Sequence, residues 1–344
     1  MSETTKARAS KRRFPFTQYP VGWFQVGYSA ELGPLDVQRV QYFGEDLVLF
    51  RGESGKPYLL DGYCPHLGAH MGCGGHVAGE TIECPFHAWR FDGTGVCTEI
   101  PYATKIPKKA RVHPWILREV NGIIFAYHGV NGEEPAWEVP TLPELESDEW
   151  TPVRTVRFRI KSHNQEMAEN SVDGPHFLYV HKALRAKTAE AKIDGHIFRT
   201  FNKMEVDLTR WGMPDGQLEG SAQVTTHGFG FSVVRLSLLS EIITIATVTP
   251  IDEEHLDARF AFTVKKLDDP SMTDLVVQQV VDDIAQQVRE DAVIWENKKY
   301  LERPVLCDGD GPIALYRKWA RQFLPGYKPA SGKRSRASLH AVAH

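Results

Sequence analysis

Two short loops of this chain each carry one cysteine and one histidine. Cys64-Pro65-His66 is followed, after seventeen residues, by Cys84-Pro85-Phe86-His87. Two thiolates and two imidazoles that converge form a metal-ligand set. Such a set constrains a fold severely, because both loops must be carried on a frame that holds them face to face. Two chemistries use these four donors. Zinc takes all four tetrahedrally, as a structural staple. An iron–sulfur centre takes the sulfurs on one iron and the imidazoles on the other.

The flanking residues favour the second. Zinc fingers pair two cysteines in one loop and two histidines in another. Here each loop supplies one of each, which suits a [2Fe–2S] cluster of the Rieske type. Pro65, Pro85 and Gly68, Gly72, Gly74, Gly75, Gly93 and Gly95 supply turns that bring backbone amides near the sulfurs, where hydrogen bonds tune the potential. Trp89-Arg90-Phe91-Asp92-Gly93 extends the likeness to a Rieske signature past the ligands. Cys73, Cys97 and His70 fall outside the pattern and read as free thiols and a satisfied polar side chain.

A cluster of this kind moves single electrons, and alone it would make the chain an electron carrier. The 344 residues are enough for two domains of ordinary size. The hydrophobic share of 42% and charged share of 24% are those of a globular protein. A net charge of −4 argues against nucleic acid as the main partner. No run approaches the ~20 apolar residues of a membrane-spanning helix. Five cysteines and a polar, basic N-terminus without an apolar segment behind it predict a reducing, cytoplasmic setting.

The predicted organisation is a tail over 1–20, a small all-β domain with the cysteine cluster in its loops over 21–130, a proline-rich acidic arm over 131–152, a second domain over 153–327 and a tail over 328–344. Asn121-Gly122 between two β-rich runs predicts a hairpin. Residues 222–264 are rich in Val, Ile, Thr and Phe and predict several strands of one sheet. Pro270-Ser271 opens a helix predicted to run to about Tyr300. No Gly-x-Gly-x-x-Gly follows a strand, so no nicotinamide or flavin domain is indicated.

The second domain contains a second ligand set. Residues 168–181 read AENSVDGPHFLYVH, placing Asp173, His176 and His181 close together. Two neutral imidazoles and one carboxylate, with open positions, make the facial triad of non-haem Fe(II). His176 and His181 are about 140° apart on an ideal helix, so they share a metal only where the helix bends or ends between them. The carboxylate is either Asp173 or a distant residue. On the long helix an apolar stripe runs Val277, Val281, Ile284, Val288, Trp295, and Asp291 lies on it. A carboxylate there is costly unless paired or metal-bound, so Asp291 is the expected third ligand; an ion pair with Arg or Lys is the alternative. Asp282, Asp283 and Glu290 lie off the stripe and are expected to face water.

With these motifs in order, CPHLGAH, CPFHAWRFDG, ENSVDGPHFLYVH and REDAVIWENK, the chain resembles the catalytic α-subunit of a Rieske non-haem iron oxygenase over nearly its full length. The resemblance implies an α+β fold, with an N-terminal all-β Rieske domain and a helix-grip catalytic domain around an antiparallel sheet. It implies one [2Fe–2S] cluster on Cys64, His66, Cys84 and His87, and one mononuclear Fe(II) on His176, His181 and Asp291. Asp173 then links His87 of one chain to His176 of the next, Asn170 stands near the iron (or simply caps a helix), and the assembly is a head-to-tail homotrimer. The ending LCDGDGPIALYRKWARQFLPGY is most similar to the 3-ketosteroid 9α-hydroxylase oxygenase components and their sterol 7-desaturase relatives.

The implied activity is hydroxylation of a C–H bond of a large, steroid-like hydrophobic molecule, using O₂ and electrons from a separate NAD(P)H-dependent reductase, alone or with a ferredoxin. Desaturation or oxidative demethylation would use the same iron. A pure Rieske electron carrier and a zinc-stapled binding module are the rivals from other classes. Val224, Phe229, Phe231, Val233, Leu236 and Leu238 face either substrate or sheet core.

Overall fold

The computed structural model describes residues 12–130, 132–183, 185–207 and 216–328. The N-terminal part contains strands β1 (Gly22–Tyr28), β2 (Val37–Tyr42), β3 (Glu45–Arg51), β4 (Pro57–Asp61), β5 (His76–Ala78), β6 (Thr81–Glu83), β7 (Arg90–Asp92), β8 (Cys97–Glu99), β9 (Leu117–Val120) and β10 (Ile123–His128). They make three antiparallel sheets, ordered β1-β10-β9, β2-β3-β4 and β5-β6-β7-β8. The Asn121-Gly122 hairpin forms as its dipeptide predicts, with φ of 59° and 70°. Both values are left-handed, as a two-residue turn between twisted strands requires.

Strand β3 explains how the two halves of the chain share a core. Leu47, Val48, Leu49 and Phe50 are all buried. Side chains alternate along a strand, so Val48 and Phe50 pack with Cys64, Cys84 and Trp89 on one side. Leu47 and Leu49 pack on the other with Phe24, Phe198, Tyr316 and Trp319, which belong to both halves of the chain. Each such side chain contributes ~1.5–3 kcal/mol by leaving water.

The second part contains β11 (Arg154–Ile160), α1 (Asn164–Glu169), α2 (Gly174–Tyr179), β12 (Arg185–Asp194), β13 (Ile197–Asp207), β14 (Gln217–His227), β15 (Phe231–Ser237), β16 (Glu241–Pro250), β17 (Leu256–Val264), α3 (Pro270–Trp295) and α4 (Ile313–Ala320). The strands form one seven-stranded antiparallel sheet, ordered β11-β17-β16-β15-β14-β13-β12. Helix α3 starts where Asp269 caps the Ser271 amide at 2.8 Å and Pro270 takes the first turn. It lies across β17 and β11, burying Val288 and Trp295 against Ile160, Leu256 and Ala258. The helix ends at Trp295 rather than near Tyr300. Beyond it, Lys298 pairs with the buried Glu166 at 2.5 Å and the Tyr300 amide bonds to Arg13, contacts that draw the chain off the helix axis.

Polar side chains rivet the two parts together. Thr247 Oγ1 donates to Gln25 Oε1 at 2.5 Å, and Thr249 Oγ1 to the Gln25 carbonyl at 2.7 Å. Tyr42 donates to Asp257 at 2.7 Å, and Arg157 embraces the same carboxylate at 2.7 and 2.9 Å. Burial alone would raise the Asp257 carboxyl, but Arg157, Arg259 and Tyr42 overcome it and hold it below the usual carboxylate range.

One expectation changes, and two open alternatives are narrowed. Of the tail expected over 1–20, Phe14 and Phe16 are buried in the shared core, because aromatic side chains at that density find a hydrophobic seam; residues 1–11 and 329–344 lie outside the described residues. The acidic segment expected as a linker or connecting arm is packed: Val139, Leu142 and Trp150 are buried, and Asn121 pins it through Pro140 and Leu142 at 2.8 Å each. Phe229, Phe231 and Val233 are core, packed with Trp319 and Phe323 or with Phe125.

Candidate metal centres

The two Cys/His loops are built alike. The first joins β4 to β5 and the second joins β6 to β7. In the first, the Cys64 amide bonds to the Ala69 carbonyl at 2.9 Å and the Gly68 amide to the Cys64 carbonyl at 3.0 Å. In the second, the Cys84 amide bonds to Trp89 at 2.8 Å and the Ala88 amide to Cys84 at 3.0 Å. The fourth residue after each cysteine is left-handed, with φ of 77° at Gly68 and 57° at Ala88. Glycine takes that conformation freely and alanine at a cost. Each cysteine is followed by proline, which fixes the turn's entry.

These loops point the sulfurs inward and the imidazoles outward. Cys64 and Cys84 are 2% and 3% exposed, while His66 and His87 are partly exposed with ring centroids 4.7 Å apart. His66 stacks on Trp89 at 4.6 Å, and Trp89 donates to the Tyr102 hydroxyl at 2.8 Å. Burial pushes the Cys64 thiol up to about 12, a hydrogen bond from the His66 backbone opposes this, and the facing Cys84 adds to it. His87 Nδ1 is buried with no hydrogen-bond partner. Two buried thiols set face to face, beside an orphaned ring nitrogen, fit a group that supplies positive charge and accepts lone pairs, as two irons do.

The second centre is assembled from α2 and α3. Helix α2 ends at Tyr179 and Lys182 adopts φ of 56°, so the chain leaves the helix between His176 and His181, as their spacing demands. The ligand atoms of His176, His181 and Asp291 all lie within 4.8 Å of one another. His181 Nε2 is 3.3 Å from Asp291 Oδ2. Asn170 Nδ2 donates to the same Asp291 oxygen at 3.0 Å, and Trp295 Nε1 donates to Asn170 Oδ1 at 3.3 Å. The loop before α4 packs on the backbone at Val172 and Gly174; a Cβ on Gly311 would lie 1.7 Å from the Val172 carbonyl oxygen.

The histidines are set differently. His176 Nδ1 meets the backbone carbonyl of Asp173, leaving the Asp173 carboxylate to other partners. His181 Nδ1 meets the Glu290 carboxylate at 2.9 Å. Burial lowers the His176 pKa against the pull of that carbonyl. Burial also opposes charge on His181, but hydrogen bonds to Asp291 and Glu290 prevail and raise its pKa. The expectation that Glu290 faces water is corrected: it lies off the apolar stripe, yet His181, arriving from α2, covers it. Nothing in the helical pattern could reveal that. Asp282 is exposed as expected and accepts from Gln278 at 2.9 Å. The donor set of two imidazoles and a 7%-exposed carboxylate fits a ferrous ion with open positions.

Comparisons with known proteins agree with this geometry. Residues 22–112 match the Rieske [2Fe-2S] domain family, and residues 126–324 match the family described as 3-Ketosteroid 9alpha-hydroxylase C-terminal domain. The chain thus belongs to the Rieske non-haem iron oxygenases, in the branch defined by that C-terminal domain. Among its relatives is cholesterol 7-desaturase nvd 1 of Ciona intestinalis, 33% identical, with 90% of this chain and 70% of the relative covered. A 3-ketosteroid-9-alpha-monooxygenase oxygenase component of Rhodococcus rhodochrous is 32% identical, with 89% and 83% covered.

Solved structures share the fold. Dicamba monooxygenase bound to 3,6-dichlorosalicylic acid superimposes with a TM-score of 0.75 at 16% identity, covering 89% of this chain and 98% of that one. NdmB of Pseudomonas putida CBB5 gives 0.69 at 19%, covering 87% and 89%. The chain is the terminal oxygenase component of a multi-component oxidoreductase, carries a Rieske [2Fe–2S] cluster and a mononuclear iron, and takes its electrons from a reductase. Among the described residues, no helix is long and apolar enough to cross a membrane.

Proposed function

We propose that the chain hydroxylates a C–H bond of a steroid-like substrate, with Cys64, His66, Cys84 and His87 holding the cluster and His176, His181 and Asp291 holding the iron. The observation that carries the assignment of the iron ligands is the convergence within 4.8 Å of three donor atoms, from α2, from the turn just after it and from α3. The same convergence argues against a pure electron carrier, which needs no second ligand set. The substrate class rests on the relatives, whose names refer to cholesterol and 3-ketosteroids. Cys73, Cys97 and Cys307, the cysteines outside the cluster, form no disulfide, which supports a reducing, cytoplasmic setting.

When bound, the cluster supplies electrons singly and the ferrous iron supplies activation of O₂. The residues do the rest. The Asp173 carbonyl and the Glu290 carboxylate each hold one imidazole by Nδ1, leaving Nε2 to face the metal. Asn170 fixes one carboxylate oxygen of Asp291. Burial of His181 and Asp291 keeps bulk water off the ligands. The products are an alcohol and water, balanced by two electrons from an NAD(P)H-dependent reductase and two protons from solvent.

A head-to-tail trimer accompanies this reading. Leu67, Phe86 and Tyr102 are 65%, 58% and 62% exposed around the cluster loops, and Lys105, Lys108 and Lys109 follow Tyr102 on the surface. On the iron side, Tyr179, three residues past His176, is 84% exposed. Exposed apolar side chains beside each centre suit contact between copies. In that contact Asp173 links His176 to His87 of the neighbouring copy. Desaturation is the second reading, favoured by the Ciona intestinalis relative.

The test is incubation with a compatible reductase, NAD(P)H and panels of 3-ketosteroids, sterols and aromatic acids, with oxygen uptake and product mass recorded. Substrate-dependent uptake with one added oxygen supports hydroxylation. Loss of two hydrogens supports desaturation. Uptake with no steroid or sterol, but with an aromatic acid, defeats the substrate reading.

A further inference from the structure

One helix grips His181 by both of its nitrogens. Nδ1 lies 2.9 Å from Glu290 Oε2, and Nε2 lies 3.3 Å from Asp291 Oδ2. Consecutive helical residues point about 100° apart, so Glu290 and Asp291 cannot converge on one small atom without distortion. They can reach around the two sides of a ring placed between them. Glu290 is itself held: its Oε1 accepts from Gln286 Nε2 at 3.0 Å, one turn earlier on α3. His181 is 4% exposed and the Glu290 side chain 30%, so this hydrogen bond is largely sheltered.

An imidazole that gives its Nδ1 proton to a carboxylate has its tautomer and ring orientation fixed, and its Nε2 becomes the more basic donor. His176 gives the same proton to a neutral carbonyl. The two histidines are therefore unequal ligands.

We propose that Glu290 is a positioning residue for the iron centre, orienting His181 and making it the stronger-donating imidazole of the pair. The proposal rests on His181 being an iron ligand, as argued above.

The test uses the full-length protein with its cluster intact. Mononuclear metal is removed, Fe(II) is titrated back against a chelator, and Co(II) serves as a spectroscopic probe. Glu290→Ala is expected to weaken Fe(II) binding about 10- to 100-fold. Glu290→Gln, whose side-chain carbonyl still accepts the Nδ1 proton, is expected to recover most of that affinity while shifting the Co(II) absorption, because the charge is gone. Unchanged cluster absorption reports an intact fold.

Fe(II) affinity of Glu290→Ala within about twofold of the parent overturns the proposal, as does a Glu290→Gln variant no better than Glu290→Ala. Should the alanine variant fail to fold, the Gln variant decides, and a Co(II) spectrum identical to the parent's overturns it. His181→Ala separates the two readings. Parent-like Fe(II) binding in that variant defeats the ligand assignment itself; weak binding there beside a parent-like Glu290→Ala defeats only the role of Glu290.

Discussion

Asn170 and Asp291 are 121 positions apart in the chain, yet the side-chain amide of one donates to the carboxylate of the other at 3.0 Å. Trp295 fixes which way that amide faces, because its indole N–H can only donate and therefore selects Asn170 Oδ1. Asn170→Ala is expected to weaken Fe(II) binding by about tenfold, since Asp291 loses a partner that holds its oxygen in place. Trp295→Phe should do less to the metal, because the amide can still donate, and more to stability, by about 1–2 kcal/mol for a lost hydrogen bond and packing. Chelator competition and urea unfolding measure the two effects, and the reverse ordering would break the proposed chain of support.

Asp291 is a buried carboxylate surrounded by neutral donors and a histidine. Asp291→Ala is expected to lower the iron content by about one third, the mononuclear share, with acid-labile sulfide and the reduced-cluster EPR signal unchanged. Full iron occupancy in this variant would move the third ligand elsewhere.

Asp173 presents a backbone carbonyl to His176, and its carboxylate is the proposed link to the neighbouring copy. Asp173→Asn preserves the carbonyl and removes only the charge. Both metal centres are expected to survive, while turnover supported by a reductase nearly disappears. The informative reading is single-turnover kinetics of cluster oxidation in the presence of substrate; an unchanged rate would rule out a link between copies at this residue.

His227 ends β14, with Nδ1 3.4 Å from His196 Nε2, and His196 stacks on Trp137 of the packed arm at 4.8 Å. Burial, with the charges of His196 and Arg199, holds the His227 pKa down to about 4. Below pH ~6.5 the unfolded chain takes up a proton at this position and the folded chain does not, so stability falls as pH falls. The loss is about 1.4 kcal/mol per pH unit, or about 2 kcal/mol between pH 6.5 and 5. Urea unfolding at both pH values should show it, and His227→Gln should reduce the dependence by that amount, leaving the share of the buried His163, whose pKa burial holds down to about 3. A parent whose stability does not change over that interval would contradict the assignment.

Much of this was readable in the chain before folding. The cluster loops are local: each ligand pair spans three or four residues, and the turn-forming prolines and glycines stand beside it. Asp291 was legible because helical periodicity put a carboxylate on an apolar face, and only a partner could pay for that. Glu290 was not, because the ring that covers it comes from another element. The packing of the arm was not legible either, for the opposite reason. Its prolines and acids are those of a linker, but Trp137, Val139, Leu142 and Trp150 are spaced to lie along a neighbouring surface that the sequence does not display. Residues 183–240, where a substrate pocket would be lined, carry no motif.

Strand β3 touches the cysteine core with one face and the core shared with the catalytic sheet with the other. Its four buried apolar side chains are thus common property, and neither half can lose its packing while the other keeps it intact. The visible colour of the cluster then becomes a gauge of the whole chain: bleaching on heating and loss of the large sheet should trace a single curve.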